Sequence, residues 1–315
     1  MKICSLVPGA TEIIAKLGLA DQLVAISHEC DYPASVRHAP VVVEPVVGSG
    51  ASTSRDIDRA VKELVASGQR VYRLNIPRLL EAEPEVILTQ DLCHVCAVTP
   101  DQLTQAIESL PATPQVVTLN PASLSDILQD VERIARAVGA EARGQALVQS
   151  LRAGLAQVRS RATAAARPRV VCLEWLDPLY IPGHWVPEMV ALAGGEDVLG
   201  NPDQPSRETT WEEVGEANPD LLLVMPCGYP VQRTLEELAR VERTGGPWST
   251  VLAQWPATYV VDAAAYFSRP GPRLLDGVEL LADIFHPSPS RPLDPEKAMQ
   301  LSPSLFALEP QHDAR

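Results

Sequence analysis

Three loops gather most of the cysteines and histidines of this chain. The first is His28-Glu29-Cys30-Asp31-Tyr32-Pro33, the second Cys93-His94-Val95-Cys96 and the third Gly183-His184-Trp185, with Cys227 farther along. Thiolate and imidazole ligate zinc or iron, but a structural zinc site takes four ligands and one Cys-x-x-Cys supplies two. His28 and Cys30 can supply the second pair to Cys93 and Cys96 if the loops converge. The same residues are open to a redox disulfide between Cys93 and Cys96, or to free thiols that pack locally, and the spacing favours the last. Neutral imidazole from His94 or His184 can also ligate the central metal of a bound cofactor.

Aromatic residues make up only 4% of the chain, so their placement is informative. Trp175 and Tyr180 follow one predicted strand, with Trp185 farther along that loop; Tyr229 follows a second strand, and Tyr266 and Phe267 a third. In open α/β sheets the loops after the carboxyl ends of strands carry the ligand. Aromatics there suit a large, flat or apolar ligand, and the alternative is that they pack the loops onto the body. Val7-Pro8-Gly9-Ala10-Thr11-Glu12 opens a helix, whose main-chain N–H groups favour anions or amide oxygens. Arg269 and Arg273, in Phe267-Ser268-Arg269-Pro270-Gly271-Pro272-Arg273, can grip a ligand carboxylate or phosphate, or else pair with acidic residues such as Glu174.

Catalytic signatures do not accompany these groups. No phosphate loop, dinucleotide fingerprint or nucleophile elbow occurs, and no carboxylate pair isolates a general acid and base. The expected protein binds rather than catalyses. A metal- or thiol-dependent enzyme built on His28, Cys30, Cys93 and Cys96 is the alternative from a different class.

The elements that position these residues come in two copies. Lys2-Ile3-Cys4-Ser5-Leu6-Val7 with its following helix is echoed by Arg169-Val170-Val171-Cys172-Leu173 and Pro187–Gly194. Leu79-Leu80-Glu81-Ala82-Glu83-Pro84-Glu85-Val86-Ile87-Leu88 is echoed by Val214-Gly215-Glu216-Ala217-Asn218-Pro219-Asp220-Leu221-Leu222-Leu223-Val224. Cys4 and Cys172 fall at equivalent strand positions and read as small buried hydrophobes. In the first copy, strands are expected near 2–7, 23–27, 71–74, 85–89 and 115–119, with helices near 11–17, 54–67, 77–82 and 99–109. Short apolar strands alternating with helices make a mainly parallel sheet covered on both faces.

The expected fold is therefore α/β: two Rossmann-like α/β lobes joined by a long helical linker, with a ligand cleft between them. The lobes span residues 1–121 and 167–286, the connecting helix 122–166 and a Pro-rich tail 287–315. Leu124, Ile127, Leu128, Val131, Ile134, Ala135 and Val138 share one helical face, Ser123 with Asp126 resembles a capping box, and Gly139 marks a break. Leu301, Leu305, Phe306 and Leu308 are placed to pin the tail.

At 315 residues, with 46% apolar content, the chain can bury two cores. A formal charge of −14 argues against a nucleic-acid or anionic-membrane partner, since both need a basic face. No run spans a membrane, and Lys2 leads straight into the first strand without a signal peptide. The expected location is cytoplasmic as the sequence stands, and periplasmic if the start is misassigned or trimmed.

Ser5-Leu6-Val7-Pro8-Gly9-Ala10-Thr11-Glu12, then Gly18 and Asp31-Tyr32-Pro33, resembles the opening of the vitamin B12 (cobalamin) substrate-binding proteins. These belong to the wider iron-siderophore, haem and cobalamin binding-protein family of ABC importers. Leu80–Ile87 and Tyr266–Arg273 resemble further steps of that family, and the likeness runs over about residues 2–286. The resemblance implies a class III substrate-binding-protein fold with cobalamin or a related corrinoid between the lobes, and an iron-siderophore or haem as the alternative ligand. Tyr32, Trp175, Tyr180, Trp185, Tyr229, Tyr266 and Phe267 would line the site. Main-chain groups of Pro8, Gly9, Ala10 and Thr11 would meet polar side groups of the ligand, with Arg269 nearby.

The resemblance also implies docking on an ABC permease through one carboxylate on each lobe. Glu212 falls at the second-lobe position, but Pro77, beside Arg78, stands at the first. With the missing signal peptide and the Cys/His clusters, this places the chain nearer a signal-less branch of the family.

Overall fold

The computed structural model describes residues 1–47, 53–91, 100–162 and 166–306. Strand β1 (Ile3–Ser5) is followed by α1 (Pro8–Lys16), β2 (Leu23–Ser27) and β3 (Val41–Pro45). Then come α2 (Ser54–Ala66), β4 (Tyr72–Leu74), α3 (Ile76–Ala82), β5 (Val86–Gln90), α4 (Pro100–Glu108) and β6 (Gln115–Leu119). Helices α5 (Leu124–Ala137) and α6 (Glu141–Ala162) follow.

The six strands form one sheet in the order β4-β3-β2-β1-β5-β6, parallel except for the β3–β4 pair. Alternation sorts its residues. Ile3, Val86 and Leu88 enter one apolar cluster with α1 and α5, and Cys4 and Ile87 enter another with Leu79 and Leu103. Both faces are thus covered, as a parallel sheet requires.

Beyond α6 the chain forms β7 (Arg169–Leu173), β8 (Trp175–Leu176), β9 (Leu179–Ile181), α7 (Val186–Leu192), β10 (Glu196–Asp197) and β11 (Arg207–Glu208). It continues through α8 (Trp211–Ala217), β12 (Leu221–Val224), α9 (Val231–Arg243), α10 (Trp248–Gln254) and β13 (Thr258–Val261). Last are α11 (Ala263–Tyr266), α12 (Leu274–Phe285) and β14 (Ala298–Gln300). The main sheet has the order β10-β7-β12-β13-β14, with only β13–β14 antiparallel, and β11-β9-β8 form a small antiparallel sheet. Trp248 is fully buried in this core, edge-on to Trp211 at 5.3 Å.

The chain packs as two compact units. One comprises Met1–Ser52, Asp56–Gly154 and Arg269–Leu274, and the other Thr53–Arg55, Leu155–Ser268 and Leu275–Arg315. The division falls inside α6, after Gly154. No helix among the described residues is long and apolar enough to cross a membrane.

The internal repeat is realised in detail. α3 and α8 each span seven residues and open on a side-chain cap, Asn75 to the Arg78 N–H and Thr210 to the Glu213 N–H. Each closes on a left-handed residue, Glu83 at φ 44° and Asn218 at φ 46°, ahead of a proline that cannot continue the helix. Each then feeds a buried strand, β5 or β12, paired with β1 or β7. Cys4 and Cys172 are both fully buried, and burial pushes both thiols far up.

The capping box of α5 forms as its spacing predicts. Ser123 Oγ accepts from the Asp126 N–H at 3.1 Å, and Asp126 Oδ2 accepts from the Ser123 N–H at 3.0 Å. Gly139, at φ 66°, separates α5 from α6. Six strands lie outside the sequence expectations: β3, β14 and the short β8, β9, β10 and β11, of which β8 and β9 carry Trp175 and Tyr180 in place of the expected loop. β3 is a β-branched run closed by Pro45, and β14 adds to the sheet within the Pro-rich tail, where Leu301 is buried.

On the buried face of α5, Asp130 pairs through Oδ1 with Arg133 at 2.7 Å, while its Oδ2 is buried without a hydrogen-bond partner among the described residues. Burial raises its pKa from 3.8 to about 6. A carboxyl raised in the fold stabilises it fully below the ordinary value, and that contribution is lost as pH rises through about 6. Asp130→Asn is therefore expected to stabilise the protein by about 1 kcal/mol at pH 7.5, after allowance for solvent screening, and not at pH 4. Urea unfolding at the two pH values checks this; equal effects at both would remove the assignment.

Candidate functional site

In the first unit, α1, the segment after β2 and the segment Arg269–Leu274 bring charged side chains together from distant parts of the chain. Arg273 donates from Nε to Glu12 Oε2 at 2.9 Å and from Nη2 to Glu12 Oε1 at 2.6 Å. Arg269 donates from Nη1 to Asp31 Oδ1 and lies 3.5 Å from Glu29 and 3.8 Å from Glu12. Glu12 and Arg269 are both buried. Burial pushes the Glu12 carboxyl up despite its Arg273 bonds. Burial also opposes the charge on Asp31, but the hydrogen bond from Arg269 and the two guanidinium charges outweigh it and hold the carboxyl low. Glu29 is held low chiefly by its contact with His28.

Of the two roles open to Arg269 and Arg273, the ion-paired one is what these contacts display. The partners are Glu12, Glu29 and Asp31, not Glu174. Two guanidinium groups face three carboxylates, so the cluster holds no surplus positive charge for an anionic ligand. The Arg273 guanidinium also lies 4.0 Å from the ring centre of Tyr32, which is 41% exposed and so keeps much of its surface free.

The start of α1 is packed by the same segment. Gly9, Ala10 and Thr11 are buried while Pro8 is half-buried. A Cβ on Gly9 would lie 2.3 Å from the Pro270 carbonyl oxygen, so only glycine admits that backbone. Thr11 Oγ1 donates to Ser5 Oγ at 2.8 Å and lies 2.9 Å from Cys30 Sγ. Cys30 is buried, and that burial pushes its thiol up to about 11 against the Thr11 hydrogen bond. His28 has Nδ1 on the Val43 carbonyl at 3.0 Å and Nε2 on Glu29 at 3.3 Å. Both His28 nitrogens are thus engaged and the Cys30 thiol stays protonated, which is the opposite of what a metal pair needs. Among the described residues no group of three or more His, Cys, Asp or Glu is arranged to hold a metal ion. Cys93, His94 and Cys96 lie outside the described residues.

In the second unit, several of the candidate aromatics are anchored by their own polar edges. Trp175 Nε1 donates to the Ser54 carbonyl at 3.1 Å, and its ring meets Tyr229 edge-on at 5.4 Å. Trp185 Nε1 donates to the Phe267 carbonyl at 2.9 Å. Trp185, Tyr229 and Phe267 are buried, whereas Trp175, Tyr180, His184 and Tyr266 are half-buried and keep an accessible edge. Tyr180 donates to Glu208 Oε1 at 2.9 Å. Glu212 is exposed in the first turn of α8, and Pro77 and Arg78 are exposed in the first turn of α3.

Residues that carry no recognisable local pattern complete both clusters. Glu237, buried on α9, accepts from the Ser54 N–H at 2.6 Å and the Ser54 hydroxyl at 2.7 Å, although 183 positions separate them. Glu12 is visible in sequence only as the one acidic residue of a short, mainly apolar helix. That contrast, a lone carboxylate on a buried face, is the one local signal that a cationic partner exists.

The architecture is thus one of two α/β units, each with a mainly parallel sheet at its core. The chain belongs to the periplasmic binding protein family, whose model matches residues 3–244. It is 25% identical over 299 residues to an uncharacterized ABC transporter substrate-binding lipoprotein, YvrC of Bacillus subtilis, covering 91% of this chain and 80% of that one. It is 24% identical over 284 residues to the vitamin B12-binding protein of Vibrio cholerae, covering 88% of this chain and 86% of that one. Among solved structures, the periplasmic heme-binding protein RhuT of Roseiflexus sp. RS-1 superposes with a TM-score of 0.65 at 24% identity, covering 90% of this chain and 97% of that one.

Proposed function

We propose that this protein is a non-catalytic substrate-binding protein of the ABC-importer type that holds cobalamin or a related corrinoid. The observation that carries the reading is the near full-length similarity to a vitamin B12-binding protein, over 88% of the chain. The charge pattern supports it: Arg269 and Arg273 are committed to Glu12, Glu29 and Asp31, which suits a ligand with neutral amide side groups better than an anionic siderophore. Within the second unit, the half-buried rings of Trp175, Tyr180 and Tyr266 are apolar surfaces of the kind a flat macrocycle covers. Haem is the second reading, favoured by the likeness to a heme-binding fold. Glu212, exposed on α8, is the candidate contact for a permease, with Pro77 leaving the matching turn of α3 without a carboxylate.

Titration of the purified protein with aquocobalamin and, separately, with hemin tests the proposal. One-to-one retention of aquocobalamin after removal of free ligand is the expected result. Retention of hemin alone would move the assignment to the haem reading, and retention of neither would overturn both.

A further inference from the structure

Ser54 opens α2 and is the one buried residue of that helix. Every polar group it has is taken up within the second unit, where Thr53–Arg55 packs. Its N–H and its hydroxyl donate to Glu237 Oε1 at 2.6 Å and 2.7 Å, and its carbonyl accepts from Trp175 Nε1 at 3.1 Å. Beside it, Arg55 donates from Nε and Nη2 to the Asp177 carboxylate at 2.8 Å and 3.2 Å. Trp175 opens β8 and Asp177 follows that strand, so these two residues of α2 tie the β8–β9 hairpin to α9.

Glu237 stands on the buried face of α9 with Thr234, Leu238 and Val241. A carboxylate there gives up its hydration and needs strong donors in exchange. Arg240 approaches Oε2 at 3.4 Å, and Oε1 is given to Ser54. Hydrogen bonds to an ionised acceptor are shorter and stronger than neutral ones, so this pair fixes Ser54 closely. The fixed Ser54 carbonyl then decides where the indole N–H points. Indole has a single donor and no acceptor, so this bond is what orients the half-buried ring, with the edge-on contact to Tyr229 at 5.4 Å as its second restraint.

We propose that Glu237 is a positioning residue for ligand binding, acting through Ser54 to hold the Trp175 ring, an inference that rests on the function proposed above. Glu237 is itself buried and touches the ligand only through this chain of contacts.

The test uses the full chain, with aquocobalamin and hemin as probes in equilibrium dialysis. Glu237→Leu removes the acceptor at similar volume. It is expected to weaken retention of the probe that wild type binds by about 10-fold, the effect of one lost buried hydrogen bond. In a Trp175→Phe background the same substitution is expected to change affinity less than ~2-fold, because residues that act as a unit are not additive. Trp175 emission is taken as the difference between each protein and its W175F counterpart, and it is expected to differ between wild type and E237L before any probe is added. Leu238→Ala, at a fully buried neighbour on α9, controls for lost stability alone and is expected to keep wild-type emission and affinity. If E237L does not fold, Ser54→Ala replaces it, with smaller effects of the same sign, since it removes only the hydroxyl bond. Equal affinity of E237L and wild type overturns the proposal, as does an equal loss in the W175F background, unchanged Trp175 emission, or a matching loss in L238A; the binding function stands in each case. Retention of neither probe by wild type overturns the binding function itself, and this inference with it.

Discussion

Replacing Arg273 with methionine is expected to cost the fold about 3–5 kcal/mol at neutral pH, the usual loss when one member of a buried ion pair is removed. Arg273 supplies both hydrogen bonds to the Glu12 carboxylate, and the next cation, Arg269, stands 3.8 Å away with its own bond to Asp31. Without Arg273, a buried carboxylate keeps its desolvation cost and loses its compensation. The stacking on Tyr32 goes as well, for about 0.5 kcal/mol more. Urea unfolding at pH 7 measures the loss.

Two controls make the result specific. The double variant Glu12→Leu, Arg273→Met is expected to recover most of the stability, because apolar groups of similar volume replace a buried pair at little cost. The deficit of R273M is also expected to shrink as pH falls. Glu12 already has a raised carboxyl, and without its partner that carboxyl rises further; a group raised in the fold ceases to destabilise once it is protonated. A deficit under ~1 kcal/mol at pH 7, or one that grows toward acid, would show that solvent rather than Arg273 balances Glu12.

Gly9→Ala is expected to destabilise the protein by about 1–3 kcal/mol, in the range of overpacked core positions. The new Cβ would meet the Pro270 oxygen at 2.3 Å and the Pro270 carbonyl carbon at 2.9 Å, and both are backbone atoms that no rotamer change can move. The sign is the informative part. Gly9 lies in the first turn of α1, and in an open helical position glycine to alanine is worth up to ~1 kcal/mol in the favourable direction. Gly215, in α8, meets no atom within 4 Å of an added Cβ, so Gly215→Ala is expected to raise the melting temperature while Gly9→Ala lowers it. Two shifts of the same sign would show that the segment carrying Pro270 moves aside for the methyl group.

Much of this architecture is legible without coordinates because it rests on local physics. Apolar strands of four to six residues alternating with amphipathic helices predict the parallel sheets, and a Glu-Pro and an Asn-Pro step mark the exits of α3 and α8. Ser123 and Asp126 form their capping box because three helical residues bring the two side chains back to each other's N–H groups. The repeat is visible for the same reason, since each copy obeys the same local rules. Strand β3 escapes because Pro40 before it and Pro45 at its end read as loop signals, and β14 escapes because its pairing with β13 owes nothing to the Pro-rich sequence around it.

The candidate site divides along the same line. The sequence by itself determined which residues could do chemistry: the histidines, thiols, arginines and loop aromatics, and the absence of a nucleophile elbow or phosphate loop among them. Only the tertiary structure decided which of them remain available. Arg269 and Arg273 read equally as anion ligands or as ion-pair partners until Glu12, 261 positions from Arg273, and Asp31, 238 positions from Arg269, are seen to engage them. Trp185 reads as a ligand platform until its indole is found buried on Phe267, and His28 as a metal ligand until Val43 and Glu29 occupy its nitrogens. Residue type and spacing report what a side chain can bond. Its partner is set by chain segments as much as 261 residues apart, whose meeting depends on how whole sheets and helices pack and leaves no periodic trace along the chain.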